Sequence, residues 1–295
     1  MSAIPDPAYA LRPSGNLRRR ELTSRLVVGS MVTAAALAVA VLFILVYYAA
    51  KRGIGQLSPS FFTSTLPPYN GVGGGVGPAL AGTAEMVAIA SLIAVPVGVL
   101  TAIYLAEFAH PLIARPVQTV IEIMAGLPTV IAGIFIAGLV VNRFGQSAIA
   151  GGLALSIVEV PLIARASLES VRRVPHPLRE AADALGVAHW RTVLGVILPT
   201  ASSGIVTATI LAVARAAGET APLLFTTNDF GLNYQADPRH AVAGAPLEIW
   251  QLLESGYTAA VSKAWGLAFL LMFAILLANI GARLWLRRSE RKRGL

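Results

Sequence analysis

Of the 295 residues, 56% are hydrophobic and 13% are charged, about half the charged share of a typical soluble domain. The chain has no cysteine, which excludes disulfides, thiolate nucleophiles and cysteine-ligated metal or iron–sulfur sites. Its four histidines lie far apart, so redox and metal chemistry are not expected. The formal net charge is +8, but the basic residues gather between apolar segments and lack the interleaved aromatic residues of a nucleic-acid surface. The composition therefore predicts a protein of the lipid bilayer.

Six apolar segments are long enough to cross a bilayer, which takes about 20 residues each. The first, residues 26–48, is too long for the apolar core of a signal peptide, and it ends in Tyr47 and Tyr48, which suit the membrane interface. Further spans are predicted at residues 86–106, 117–141, 146–164, 197–222 and 264–286. The predicted fold class is an all-α membrane protein with six transmembrane helices.

Pro96, Pro128 and Pro161 interrupt three of these spans. In a bilayer such prolines are tolerated where neighbouring helices or waters satisfy the freed carbonyl groups. The prolines therefore predict kinked helices packed in a bundle around a path.

The orientation follows from the distribution of Lys and Arg, which gather in cytoplasmic loops. One side of the predicted spans carries 17 of them and the other side 5, while Arg215 lies inside a span. Both termini are therefore predicted to be cytoplasmic. The expected organisation is a cytoplasmic tail (1–25), a first transmembrane helix (26–48), an outer glycine-rich loop (49–85), a membrane-spanning core (86–286) that includes the cytoplasmic loop 174–199, and a basic cytoplasmic tail (287–295).

The two long outer segments carry no recognisable catalytic motif. Residues 70–77 are rich in glycine, but no Lys-Ser or Lys-Thr follows them as a phosphate-binding loop requires, so a flexible loop is expected. Residues 226–263 are mildly acidic. Within them Pro246 to Leu253 is predicted to form a short interfacial helix, with Trp250 and Leu253 on its apolar side.

The cytoplasmic loop 174–199 combines a loop-like charge pattern with helical apolar spacing. Pro175 and Pro177 mark a helix start, Leu178, Ala181, Ala182 and Leu185 share one face, and Gly186 allows a break. So short a helix is marginal in water, and its stability must come from packing of that face. Periodicity alone leaves two alternatives open: a helix seated in a groove, or a helix lying on the membrane surface.

The residues of this loop resemble the EAA loop of ABC importer permeases. The matching residues are Glu180-Ala181-Ala182, then Gly186, then Val196, Leu198 and Pro199, with Val196 where that pattern commonly has Ile. The resemblance implies a type I ABC importer permease fold in which this loop forms a coupling helix seated in a cleft of the ATPase subunit. It also implies that Glu180, Ala181, Ala182 and Gly186 are the coupling residues.

The resemblance extends to three further blocks: residues 102–107 (AIYLAE), 126–129 (GLPT) and 215–226 (RAAGETAPLLFT). The last block is similar to the phosphate-specific members of the family. It implies a subunit that imports inorganic phosphate with a second phosphate permease subunit, ATPase subunits and an extracytoplasmic phosphate-binding protein. ATP and Mg would then be cofactors of the partner ATPase, and none belongs to this chain.

The lysines support this division of labour. A P-loop requires a lysine that follows glycine and precedes Ser or Thr. Lys51, Lys263 and Lys292 instead follow Ala50, Ser262 and Arg291. ATP hydrolysis is therefore assigned to another chain, and this subunit is not expected to be an enzyme.

Arg215 and Glu219 are the chief charges inside a predicted span, where a charge costs on the order of 3 kcal/mol. Four residues apart on a helix, they could simply neutralise each other. The functional alternative is a substrate pathway: the guanidinium fork suits phosphate, Glu219 weakens the binding enough for release, and Thr220 adds a hydroxyl. Gly218 and Pro222 would permit an unwound segment there.

Two further carboxylates, Glu122 and Glu159, lie at matching depth inside the third and fourth spans. They form a possible inner gate through ion pairs with Arg115 and Arg165, and simple helix packing is the alternative. Glu85 and Glu107 lie at span ends and receive no role.

Two other classes of protein fit less well. An ion-coupled secondary transporter commonly shows internal repeats, and none is evident. A membrane enzyme needs a nucleophile with a base or a metal constellation, and His176 and His189 lack such companions.

Overall fold

The structure is a computed structural model that describes residues 16–67, 71 and 73–293. Most of the predicted N-terminal tail, residues 1–15, lies outside this range, and so do residues 294–295. The described residues form helices joined by turns and irregular segments, without a β-strand. The helices are α1 (Asn16–Gly53), α2 (Pro59–Thr63), α3 (Gly77–Ile103), α4 (Pro111–Gly126), α5 (Thr129–Ile136), α6 (Asn142–Phe144), α7 (Ala148–Arg172), α8 (His176–Ala184), α9 (His189–Thr192), α10 (Leu198–Ala216), α11 (Leu223–Thr226), α12 (Ala245–Glu254) and α13 (Thr258–Arg293).

Within these residues, five helices are long and apolar enough to cross a membrane, and a bent pair makes a sixth candidate span. The five comprise residues 19–56, 77–108, 148–172, 189–216 and 258–284. The bent pair joins Pro111–Gly126 to Thr129–Phe144 at an angle of 98°. The predicted all-α fold with six spans is confirmed.

Several helices extend beyond the predicted spans. The segment predicted as a loop, residues 49–85, contains the end of α1, all of α2 and the first turns of α3, while α13 continues through most of the predicted tail. Hydropathy locates the part of a helix that suits lipid, whereas backbone hydrogen bonding continues through polar flanks.

The three prolines behave differently. Pro96 and Pro161 lie inside continuous stretches of α3 and α7. At Pro128 the backbone is extended instead, and the preceding Leu127 has φ −68° and ψ 138°. A proline disfavours helical geometry at the residue before it, which favours a break between α4 and α5. Pro96 and Pro161 have the same effect, yet α3 and α7 continue through them.

The core of the bundle is the packing of α3 against α7, which contact each other along their length. A Cβ on Gly98 would lie 2.9 Å from the Ile163 side chain, and one on Gly152 would lie 2.6 Å from that of Ile89. Small residues at these positions let the two backbones approach closely, which is how helices associate inside a bilayer.

The glycine-rich segment before α3 is packed in its described part, which differs from the predicted flexible loop. Gly73 and Gly74 have φ of +91° and +71°, values that favour glycine. Gly75 and Gly77 are buried, and a Cβ on Gly75 would clash with the Ser60 carbonyl oxygen. The absence of side chains therefore serves close packing against α2.

Residues up to Tyr48 form a compact unit separate from the remainder of the chain. In the described residues this unit is a single helix, and its side chains at positions 19–45 are exposed. Exposed apolar residues over such a length suit contact with lipid.

Helix α12 confirms the short helix predicted around residues 246–253. It buries Leu247 and Leu252. Trp250 and Leu253, the residues predicted for its apolar side, are exposed. Glu248 on the same helix is only 1% exposed, and neither carboxylate oxygen has a hydrogen-bond partner in the described part of the chain. The sequence analysis did not single out this buried carboxyl group.

Burial raises the pKa of Glu248 to about 8, with a further increase from Asp229 and an opposing effect from Lys263. Between pH 4.5 and about 8, the folded protein therefore holds a proton on Glu248 that the unfolded chain releases. The stabilisation from this protonated carboxyl group is complete below pH 4.5 and is lost as the pH rises through about 8. We expect Glu248→Gln to melt at a higher temperature than the wild type at pH 9, because at that pH the wild type buries a charged carboxylate and the variant does not. Melting curves of detergent-solubilised protein between pH 5 and pH 9 measure this.

The control for this prediction is Glu254→Gln, which changes an exposed carboxyl group on the same helix. It should retain the wild-type pH dependence. An unchanged pH dependence in Glu248→Gln would show that Glu248 is not the group responsible.

Candidate functional site

Helix α8 forms the predicted short helix of the loop 174–199. It runs from His176 to Ala184, and Pro175 precedes it as the N-cap. Gly186 has φ +69°; its N–H donates to the Asp183 carbonyl at 2.9 Å, and Val187 N–H donates to the Ala182 carbonyl at 3.2 Å. These bonds close the last turn as a left-handed glycine cap does, which confirms the predicted break at Gly186.

The predicted apolar face of α8 is mostly uncovered within this chain. Ala182 is buried, but Ala181 is exposed, and Leu178 and Leu185 are 41% and 81% exposed. The carboxylate of Glu180 is also accessible, and its Oε1 lies 3.2 Å from Nδ1 of His176. The apolar face of α8 is therefore largely free of packing within the described part of the chain.

A buried ion pair, which the sequence analysis missed, ties α8 to the end of α3. Arg179 Nη2 donates to Glu107 Oε1 at 2.8 Å, and their side chains are 18% and 4% exposed. Glu107 lies in the π-helical turn Tyr104–Phe108 that continues α3. One sequence signal for this pair was available. Glu107 is a carboxylate at the end of an apolar span, within the block of residues 102–107, and the loop 174–199 on the same side is basic.

Arg215 lies in the last turn of α10, and the chain unwinds directly after it. Helix α10 ends at Ala216, before the end of the predicted span at 222, and Gly218 and Glu219 donate to the carbonyls of Arg215 and Ala216 in a turn. Thr220 is half-buried in this turn, and its carbonyl accepts from Leu223 N–H at 3.1 Å. The unwound segment predicted from Gly218 and Pro222 is confirmed.

The contact between Arg215 and Glu219 is loose. Arg215 Nε lies 3.5 Å from Glu219 Oε1, at the long limit for a hydrogen bond, and the arginine side chain is 56% exposed. Arg215 has no other hydrogen bond or ion pair among the described residues. A tightly neutralised pair would be shorter and more buried, so this geometry leaves the guanidinium able to bind an anion.

A cavity of about 350 Å³ lies at the break between α4 and α5, and Arg215 is the charged residue that lines it. Its other walls are apolar except for Thr129 and come from the α4–α5 break, α5 and α7. The remaining lining residues are Met124, Ala125, Leu127, Pro128, Ile131, Ala132, Phe135, Ile157, Val158 and Leu162. Discontinuous helices also form the substrate sites of many membrane transporters.

The ion pairs suggested for an inner gate are wrong. Glu159 is completely buried and accepts a hydrogen bond from Ser91 Oγ at 3.2 Å on α3, while Arg165 pairs with Glu169, its neighbour one turn on. Glu122 is exposed and has no ion pair in the described structure. Hydrogen bonding and helix packing at Glu159 are the observed alternative.

Gly133 lets α5 approach the unwound segment that carries Glu219. A Cβ at this position would lie 2.7 Å from both Cα and the carbonyl oxygen of Pro222. We expect Gly133→Ala to destabilise the protein by about 1–3 kcal/mol, because two backbones would have to separate. The melting temperature of the solubilised protein checks this.

Gly138 offers a matched control for Gly133, because it lies in the following π-helical turn and a Cβ there meets nothing within 4 Å. Gly138→Ala should leave the melting temperature unchanged. Equal stability of the two variants would contradict the close approach of α5 to Pro222.

The comparisons with known proteins agree with this architecture. Residues 94–294 match the family described as "Binding-protein-dependent transport system inner membrane component". The phosphate transport system permease protein PstA of Yersinia pestis is 36% identical over 236 residues, which cover 79% of each chain. The permease protein PstA 1 of Mycobacterium tuberculosis (strain ATCC 25618 / H37Rv) is 36% identical over 75% of this chain and 73% of its own.

A solved structure shows the same fold at lower identity. One chain of the MetNI methionine ABC transporter, solved in an inward-facing conformation, matches this chain with a TM-score of 0.56 and 21% identity. The match covers 72% of this chain and 95% of the MetNI chain. The fold and these matches thus define a multi-pass permease component of a membrane transport system. The chain belongs to the family of binding-protein-dependent transport system inner membrane components.

Proposed function

We propose that this chain is the permease subunit of an ATP-driven ABC importer for inorganic phosphate. The observation that carries the proposal is the half-exposed guanidinium of Arg215, which lines the cavity at the broken α4–α5 pair. Relatives at 36% identity are named phosphate transport system permeases, which supports phosphate as the anion.

Arg215 suits the passage of phosphate through a largely apolar cavity. Its planar fork donates two hydrogen bonds to two oxygens and stays charged throughout. Transport also needs release, and Glu219 lies close enough to weaken the hold on a divalent anion. Thr220, in the same turn, supplies a hydroxyl group. Arg215, Glu219 and Thr220 thus form the proposed substrate pathway.

The protein lies in the bacterial plasma membrane with both termini in the cytoplasm, because Lys and Arg gather on the side that holds α8. In this orientation α10 begins at the cytoplasmic face. At 1.5 Å per residue, Arg215 lies about 25 Å along the helix axis from Leu198, in the outer half of the bundle. Phosphate would therefore meet Arg215 soon after it enters from outside.

The energy comes from a partner ATPase that binds ATP and Mg and docks on the exposed face of α8. Ala181 and Leu185 supply apolar contact, Glu180 supplies an exposed carboxylate, and Gly186 fixes the end of the helix. A helix laid into a groove is a common mode of protein recognition. A second phosphate permease completes the path, and an extracytoplasmic phosphate-binding protein delivers the anion.

The test of this proposal is competition between anions in proteoliposomes that contain the complete transporter with its binding protein. We expect ATP-dependent uptake of labelled phosphate that an excess of unlabelled phosphate abolishes and the same excess of sulfate leaves intact. Equal competition by sulfate, or uptake of sulfate in place of phosphate, would refute phosphate as the substrate.

A further inference from the structure

The end of α3 contacts the loop 174–199 on both sides of Gly186. Glu107 Oε1 accepts a hydrogen bond from Arg179 of α8 at 2.8 Å. The carbonyl oxygen of Glu107 lies 3.1 Å from Nε2 of His189, the first residue of α9. The His189 ring also meets the Phe108 ring edge-on, with centroids 5.1 Å apart. The π-helical turn that ends α3 is therefore in contact with the chain before and after Gly186.

Arg179 joins three helices at one guanidinium. Besides Glu107, it donates to the Val174 carbonyl at 2.6 Å and to the Val171 carbonyl at 3.0 Å. Val171 belongs to the last turn of α7, where carbonyl groups have no donor within the helix. The same side chain therefore holds α8 against the ends of both α3 and α7.

Helix α8 has little other attachment to the bundle, because Ala182 is its one buried residue in the described structure. The Arg179–Glu107 pair is well shielded from water, at 18% and 4% exposure of the two side chains. Charge-assisted hydrogen bonds are short and strong, and shielding from solvent strengthens them further. This pair is thus a direct link between α8 and the end of α3.

We propose that Glu107 is a positioning residue that transmits movement of α8 to α3, and through the close α3–α7 packing to the walls of the cavity. The inference rests on the proposed function, in which α8 is the contact with the ATPase. Loss of the carboxylate would leave the ATPase able to hydrolyse ATP, but the movement of α8 would no longer reach the walls of the cavity.

The experiment uses the complete complex in lipid nanodiscs with the substitution Ala125→Cys, at a residue that lines the cavity; the chain has no other cysteine. Labelling by a membrane-impermeant maleimide is compared with and without ATP and vanadate, in the Glu107→Gln, Glu107→Asp and Arg179→Lys variants. Glu169→Gln is the control, because it alters an exposed ion pair at the end of α7. ATP hydrolysis and phosphate uptake are measured on the same preparations.

We expect Glu107→Gln to reduce the nucleotide-dependent change in labelling by about tenfold while ATP hydrolysis continues, the loss of a charged hydrogen bond being of that size. Glu107→Asp and Arg179→Lys keep both charges and should retain part of the response, and Glu169→Gln should retain all of it. A merely structural role predicts fewer assembled complexes with a normal response in each, and that result would overturn the inference. The labelling response does not depend on which anion is carried, so a failure of phosphate uptake in the wild type is a separate result.

Discussion

Replacement of Arg215 by alanine is expected to reduce ATP-dependent phosphate uptake by about 10- to 100-fold, the factor that corresponds to the loss of charged hydrogen bonds. The cavity at the α4–α5 break would then have no cation to take phosphate from water. Arg215→Lys keeps the charge but not the planar fork, so uptake should fall to an intermediate rate. Initial rates of labelled phosphate uptake in proteoliposomes provide the measurement.

Arg143→Ala is the control for this prediction. Arg143 is an exposed arginine on α6, and it does not line the cavity. Its uptake should match the wild type, which would show that the loss at position 215 does not come from overall charge. Wild-type uptake in both Arg215→Ala and Arg215→Lys would eliminate Arg215 from the pathway and would favour a neutralising role toward Glu219.

The second large effect is expected at Leu185, at the end of α8. Its side chain is 81% exposed in this chain, so Leu185→Asp should change the stability of the subunit by about 0.5 kcal/mol at most. If an ATPase groove covers this face, the same change buries an unpaired charge at the interface. We expect affinity for the ATPase subunit to fall by at least about tenfold, as for residues central to an interface. Titration of detergent-solubilised permease with the ATPase subunit measures this.

Leu112 provides a matched control because it is also 81% exposed, in the first turn of α4. An aspartate there is favourable to the helix dipole, so Leu112→Asp should fold and retain the ATPase. Unchanged ATPase binding by Leu185→Asp, or an equal loss in both variants, would contradict α8 as the specific docking helix.

Helix α8 could be predicted closely from the sequence because its signals are local. Pro175 and Gly186 fix its two ends through their own backbone preferences, and the spacing of Ala181, Ala182 and Leu185 defines a face. The unwound segment after Arg215 is local in the same sense, since Gly218 and Pro222 flank it.

The features that depend on distant parts of the chain could not be predicted in this way. Glu107 and Arg179 are 72 residues apart, and only the folded chain brings them into contact. Ser91 likewise lies 68 residues from Glu159, and it takes the place of the arginine that was expected to pair with that carboxylate. Hydropathy also cannot show that Pro128 breaks a helix by 98° while Pro96 and Pro161 do not, because neighbouring helices decide that outcome.

A measurement of which energy source drives phosphate accumulation tests the central claim most directly. The complete complex in sealed proteoliposomes, with ATP and Mg at the ATPase and no ion gradient, is predicted to accumulate phosphate. The same vesicles without the ATPase subunit are predicted to accumulate none, even under an imposed proton or sodium gradient. Phosphate accumulation driven by such a gradient in the absence of the ATPase would contradict the account.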